Sequence, residues 1–282
     1  MTPQDVVSNA ASALGLSEGS ETYIYYDSRG IPTLGIGTAL VVASVVNGQT
    51  EWSVMSQAKL TKVLEALGVS ATQAVPNTNG VKTTYDLLLA ALTTAATALN
   101  NNGGTVPGYN VKTPIQFSIP GLTSQPVVSQ TAAETIATIK LNDLYTQYSA
   151  AYNPATFGFG ASWNALNSDQ QVSILRLAYN VGSPGASLYA ALTQKDASGN
   201  PAPDFLRAGL EAMVNSNGGF VGNTANSDWS IAQPFLQSWL TAGVAASATD
   251  LATLAQFAPQ IDRYLSGLIG KGAGSDVVTE IA

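Results

Sequence analysis

A chain of 282 residues with 45% hydrophobic content has ample apolar mass for a packed core, while a charged fraction of 10% leaves a surface built largely from Ala, Ser, Thr, Asn and Gln. It contains no His and no Cys, which removes Ser-His-Asp and Cys-His catalysis, disulfides and thiolate zinc sites. Any hydrolytic chemistry therefore falls to carboxylates, hydroxyls, lysines or an oxygen-bound metal. The net charge of −7, without a basic stripe, argues against phosphate-mediated nucleic-acid binding and against capture by anionic membranes.

Met1 to Leu14 has neither a basic segment nor a continuous apolar run, so no secretory signal peptide is expected. Thr2 is a plausible N-cap and Pro3 suits the first helical position, predicting a helix from Pro3 to Leu14 that Gly15 and Gly19 break. From Thr22 to Val46 aromatic and β-branched residues alternate with turn signals, the mark of a small antiparallel sheet. Pro32, Gly35 and Gly37 suit an edge strand that something approaches closely. Leu34 to Val46, nearly apolar, spans only 13 residues, too few to cross a bilayer, so no stable membrane insertion is expected.

Ser53 to Leu67 reads as an amphipathic helix stopped by Gly68, and Thr84 to Leu99 as a second, rich in Ala and Leu. Residues 100–128, with Gly103-Gly104 and Pro107, Pro114, Pro120 and Pro126, read as an irregular excursion with a hairpin around Ile115 to Ile119. Thr131 to Tyr148 resumes as a helix capped by Ser129 or Gln130. Ser168 to Val181 is apolar over most of its circumference, as a buried helix is, and Gly182 ends it. Leu188 to Gln194, Ala202 to Asn215, Asp228 to Ala242 and Thr249 to Ile269 complete the helices. Trp52, Trp163, Trp229 and Trp239 read as core rather than as sugar-stacking platforms, the usual place of such residues in helices. The expected fold class is mostly helical α+β, one domain over 1–282: an N-terminal helix and small antiparallel β lobe at 1–68, an insertion at 69–128, and a larger helical lobe at 129–282.

The chemistry concentrates in Glu18-Gly19, Tyr25-Tyr26-Asp27-Ser28-Arg29-Gly30 and Thr33-Leu34-Gly35-Ile36-Gly37. Glu18 stands at a helix end, where its carboxyl can project past the helix. Asp27 and Thr33 flank a tight turn near Gly30, and closure of that turn into a hairpin brings them within reach of one another. Gly35 and Gly37 leave backbone uncovered, as a polymer groove needs. Glycoside hydrolysis requires one protonated carboxyl beside the leaving oxygen and one ionised group that organises water or attacks the sugar. Two carboxylates near turns also fit a plainer reading, as caps or solvated charges.

This pattern resembles the phage-type lysozymes (endolysins) of glycoside hydrolase family 24. Their signature is Glu-Gly, an Asp or Cys after eight intervening residues, a Thr after five more, then Gly-x-Gly; Glu18, Asp27, Thr33, Gly35 and Gly37 fall in register, as do Tyr25 and Gly30. A second match runs from Leu166 to Gln171 and through Ala178-Tyr179-Asn180-Val181-Gly182, similar to the family's buried helix with its aromatic-Asn-x-Gly ending. The departures are Thr38 where the family often has His, the long insertion 69–128, and an acidic rather than basic balance. Arg263 aligns loosely with a family arginine near the catalytic Glu.

The resemblance implies a lysozyme-like fold and cleavage of the β-1,4 linkage between N-acetylmuramic acid and N-acetylglucosamine in bacterial peptidoglycan, without metal or cofactor. It implies Glu18 as acid, Asp27 with Thr33 holding the attacking water for an inverting reaction, and Tyr25, Gly37 and Asn180 contacting substrate. The site of action would be the periplasm or cell wall, reached through a holin, in a virion or by a secretion apparatus. The insertion 69–128 is either a surface for a delivery or immunity partner or an elaboration without one. A non-catalytic wall-binding or virion module, and a chitinase-like or chitosanase-like relative, stay open as alternatives.

Overall fold

The computed structural model describes residues 2–18, 20–77, 80–109, 114–214, 225–242 and 247–258, with backbone alone at 17, 18, 77, 214 and 225–229. In chain order its elements are α1 (Pro3–Glu18), β1 (Ile24–Tyr26), β2 (Pro32–Leu34), β3 (Thr38–Ala39), β4 (Val41–Val46), β5 (Gln49–Val54), α2 (Gln57–Ala66), β6 (Ala74–Asn77), β7 (Gly80–Thr83), α3 (Thr84–Asn101) and β8 (Ile115–Gln116). Then follow α4 (Gln130–Ser149), α5 (Ala161–Ala165), α6 (Ser168–Val181), α7 (Ala186–Leu192), α8 (Phe205–Val214) and α9 (Ala225–Thr241). A tenth helix, α10, occupies 248–258. The architecture is mostly helical α+β with small antiparallel sheets, as the sequence predicts. The described residues include no helix long and apolar enough to cross a membrane.

The chain divides into two compact units, one of Met1–Ala13 with Leu141–Ala282 and one of Leu14–Lys140. The second holds a four-stranded sheet of order β3-β2-β1-β8, in which β1 pairs Ile24 with Leu34, Tyr25 with Thr33 and Tyr26 with Pro32. Three sequence expectations are corrected here. The strand carrying Pro32 is interior rather than an edge; Pro32 is tolerated because it is the strand's first residue, and its carbonyl still accepts from Leu40 N at 2.8 Å. Ile115 does not open a hairpin toward Ile119 but adds β8 to β1, pairing with Tyr26. The helix expected from Ser53 starts at Gln57, because Gln49–Val54 pairs with Val41–Val46 around the Asn47-Gly48 turn, where both residues have positive φ.

Trp52 is accordingly a strand residue. It is buried, with Asn100 of α3 clamping its backbone: its N–H donates to Asn100 Oδ1 at 2.7 Å, and Asn100 Nδ2 donates to its carbonyl at 2.9 Å. Residues 69–128 are thus structural scaffolding for this unit, supplying α3 and β8.

Gly15 does not break α1, which runs on to Glu18. Its hydrogen is needed because α4 passes so close that a Cβ would collide with the Gln130 amide and stand 3.0 Å from the Glu134 carboxyl. Gly35 serves the same end: a Cβ there would lie 2.6 Å from that of Ala133. The close approach expected at this glycine exists. Thr2 caps α1 as expected, its Oγ1 accepting from Asp5 N at 3.2 Å while Asp5 Oδ2 accepts from Thr2 N at 2.7 Å. Ser129 caps α4.

The other unit is organised around α6. Asn167 and Gln170 form a reciprocal capping box, and Gly182 closes the helix in the left-handed region at φ 89°. Gln170 is 1% exposed and donates from Nε2 to Ser238 Oγ at 2.9 Å, tying the α6 cap to α9. Beside these helices, Tyr148, Phe159, Trp163 and Tyr189 pack ring against ring with centroids 4.9–6.3 Å apart. Trp163 is core, as its helical position implies. Trp239 lies on α9, half-buried, and the side chain of Trp229 is outside the described residues.

Candidate functional site

The β1–β2 hairpin positions the sequence-predicted groups. Successive residues of a strand face opposite sides, so the 25/33 pairing puts Tyr25, Asp27, Ile31 and Thr33 on one face. On the other face Tyr26 stacks against Tyr109 at 4.4 Å and meets Phe117 edge-on at 5.3 Å. The turn is built by Asp27 itself. Its N–H donates to the Ile31 carbonyl at 3.0 Å, its carbonyl accepts from Gly30 N at 2.9 Å, and Gly30 takes φ +79°. Its carboxylate Oδ1 then accepts from the backbone N–H groups of Arg29 and Ile31, both at 2.8 Å. The cap role and the proposed chemical role thus meet in one side chain, divided between its two oxygens: Oδ1 holds the turn and Oδ2 lies outside those bonds.

Arg29 fixes the far side of the turn. Its guanidinium sits 5.1 Å from the Trp52 ring centre and donates to the Gly104 carbonyl through Nη2 at 2.9 Å. Gly104, within residues 69–128, therefore holds the hairpin from outside.

Thr33 is 4% exposed, and its Oγ1 donates to the Ile31 carbonyl at 2.9 Å. With its proton committed to a backbone acceptor, the hydroxyl oxygen can only accept from a further group. Beside this face lies an open groove of about 350 Å³, walled by Gly35, Ile36 and Gly37, by Ser20 and Glu21, and by Tyr25 and Pro114. The structure brings Tyr25 and Gly37 together in this groove, but neither Asp27 nor Thr33 is among its lining residues. Gly37 takes φ +86° and meets nothing within 4 Å of where a Cβ would stand, so backbone is bared at the wall.

Tyr25 carries the electrostatics of the groove. Burial, and after it the carboxylates of Glu21 and Asp27, push its phenol up to about 12, so it remains a neutral O–H donor throughout the working pH range. Glu21 is the residue that sequence reasoning missed. It stands three positions beyond Glu18, outside the spaced signature, and only the fold turns it toward the groove. A turn-capping role for Asp27 was legible in Asp-Ser-Arg-Gly.

Glu18 ends α1 in the same unit, and its side chain lies outside the described residues, as does Arg263. Thr38 is 2% exposed. Asn180 belongs to the other unit, half-buried on the last turn of α6. A search for known relatives finds no matching family model, no matching curated protein and no matching solved structure.

Proposed function

We propose that this chain is a lysozyme-like glycoside hydrolase that cleaves the β-1,4 linkage between N-acetylmuramic acid and N-acetylglucosamine in bacterial peptidoglycan. The observation that supports the reading is the hairpin register: Tyr25, Asp27 and Thr33, spaced in sequence as in the phage-type lysozymes, share one face beside a groove with a bare backbone wall. In this reading Glu18 at the end of α1 protonates the glycosidic oxygen. A water donates one hydrogen to Thr33 Oγ1, whose own proton is engaged by the Ile31 carbonyl, and the other to Asp27 Oδ2. Those two acceptors leave a lone pair of the water for the anomeric carbon, and Asp27 takes its proton as attack proceeds. The product has inverted configuration.

The neutral Tyr25 phenol donates to a sugar hydroxyl, and Gly37 lets the strand backbone approach the chain; a substrate contact by Asn180 rests on the sequence resemblance alone. The site of action is the cell wall, reached by holin, virion or secretion apparatus, and the surface of 69–128 is where a delivery or immunity partner would bind. The test is release of reducing ends from purified peptidoglycan by the parent protein and Glu18→Gln, with product masses identifying the bond cut. Glu18→Gln is expected to abolish release while retaining the parent's melting temperature. Near-normal release by this variant would overturn the proposal.

A further inference from the structure

We propose that Glu21 is a specificity-determining residue of the groove, its carboxylate pairing with the free 2-amino group of an N-deacetylated hexosamine. The inference rests on the glycan-cleaving reading of the same site. Among the described residues that wall the groove, Glu21 alone carries a formal charge, and none is Lys or Arg. Ser20 is engaged elsewhere, its hydroxyl donating to Gln130 Oε1 at 2.8 Å. Tyr25 is held neutral by burial and by Glu21 and Asp27. Gly35, Ile36 and Gly37 offer backbone and an aliphatic side chain.

Among the described residues a sugar in this subsite therefore meets one negative charge, one neutral phenol donor and an otherwise uncharged wall. A lactyl carboxylate or a stem-peptide carboxylate placed here faces like-charge repulsion. An N-acetyl group is accommodated but makes no use of the charge. A 2-ammonium group supplies a counter-charge that the described groove residues do not, and three N–H donors that a carboxylate accepts. Glu21 is half-exposed, so the gain is that of a solvent-screened pair, about fivefold at most. Salt weakens the preference, because the Debye length falls from about 10 Å at 0.1 M to about 3 Å at 1 M.

The experiment compares peptidoglycan that has been chemically N-deacetylated with the same material re-acetylated, cut by the parent protein and by Glu21→Gln. In parallel, NMR titrations of both proteins with glucosamine tetramer and N-acetylglucosamine tetramer read binding without cleavage. The expected result is a severalfold preference of the parent for the deacetylated forms in both assays, reduced by 1 M salt and lost in Glu21→Gln. Equal rates and affinities for the two forms in the parent, or a preference that survives Glu21→Gln, would overturn the assignment. Glu21-dependent binding without cleavage of either wall would sustain this subsite and refute the hydrolase reading. Cleavage without a Glu21-dependent preference would do the reverse, and neither binding nor cleavage would refute both.

Discussion

Asp27 separates two roles that a single alanine substitution would confuse. Its Oδ1 accepts two backbone N–H groups at 2.8 Å, while Oδ2 lies outside those turn bonds. Asn keeps an acceptor oxygen for both N–H groups and loses only the charge and the basicity, so Asp27→Asn should leave the turn standing. Its stability cost should stay within about 1 kcal/mol over both bonds, since the roughly 1 kcal/mol per bond by which a charged acceptor exceeds a neutral one is cut by solvent at this partly exposed turn. Asp27→Ala removes both acceptors. The two freed donors lie at a partly exposed turn where water can reach them, so the loss should be about 1–2 kcal/mol in total, well below two fully buried bonds. At about 2–4 °C per kcal/mol for a chain of this size, calorimetry should resolve the two variants. Lysis should fall at least about a hundredfold in both, because both lose the base. If Asp27→Asn lowered the melting temperature as far as Asp27→Ala, the division of labour between the oxygens would be wrong. If it retained lysis, Asp27 would be a turn cap and nothing more.

Thr33→Val removes a buried hydroxyl whose acceptor, the Ile31 carbonyl, also receives Asp27 N, so about 1 kcal/mol of stability should be lost. Lysis should fall at least about a hundredfold and be largely restored in Thr33→Ser, as peptidoglycan turbidity would record. Gly35→Ala combines φ +56° with a Cβ 2.6 Å from Ala133 Cβ, and chemical denaturation should show a loss of about 2–4 kcal/mol. Gly37→Ala, at φ +86° but in open space, should cost only about 1–2 kcal/mol while weakening glycan cleavage more than stability; equal destabilisation of the two variants would contradict the packing described. Tyr148→Phe should be neutral or slightly stabilising, because the Tyr148 hydroxyl is buried with no partner among the described residues; a fall of more than about 1 kcal/mol would reveal a partner.

Helix α6 was legible almost to the residue, since its cap, its apolar circumference and its terminating glycine are all local signals. The β1 and β2 hairpin was legible for the same reason: Asp27 through Gly30 encodes its own turn, and with the turn fixed the register of Tyr25 and Thr33 follows by alternation. The amino acids by themselves also excluded histidine and thiol chemistry. What they could not disclose depends on neighbours distant in the chain. Gly15 looked like a helix breaker because its reason for being glycine is α4, more than a hundred residues away. Pro32 looked like an edge residue because nothing nearby shows that β3 pairs with β2 while β8 arrives from some eighty residues further along the chain to flank β1. Glu21 acquires a role only when the fold sets it beside Tyr25 in a groove, and the approach of a carboxylate to a phenol is a property of space rather than of spacing.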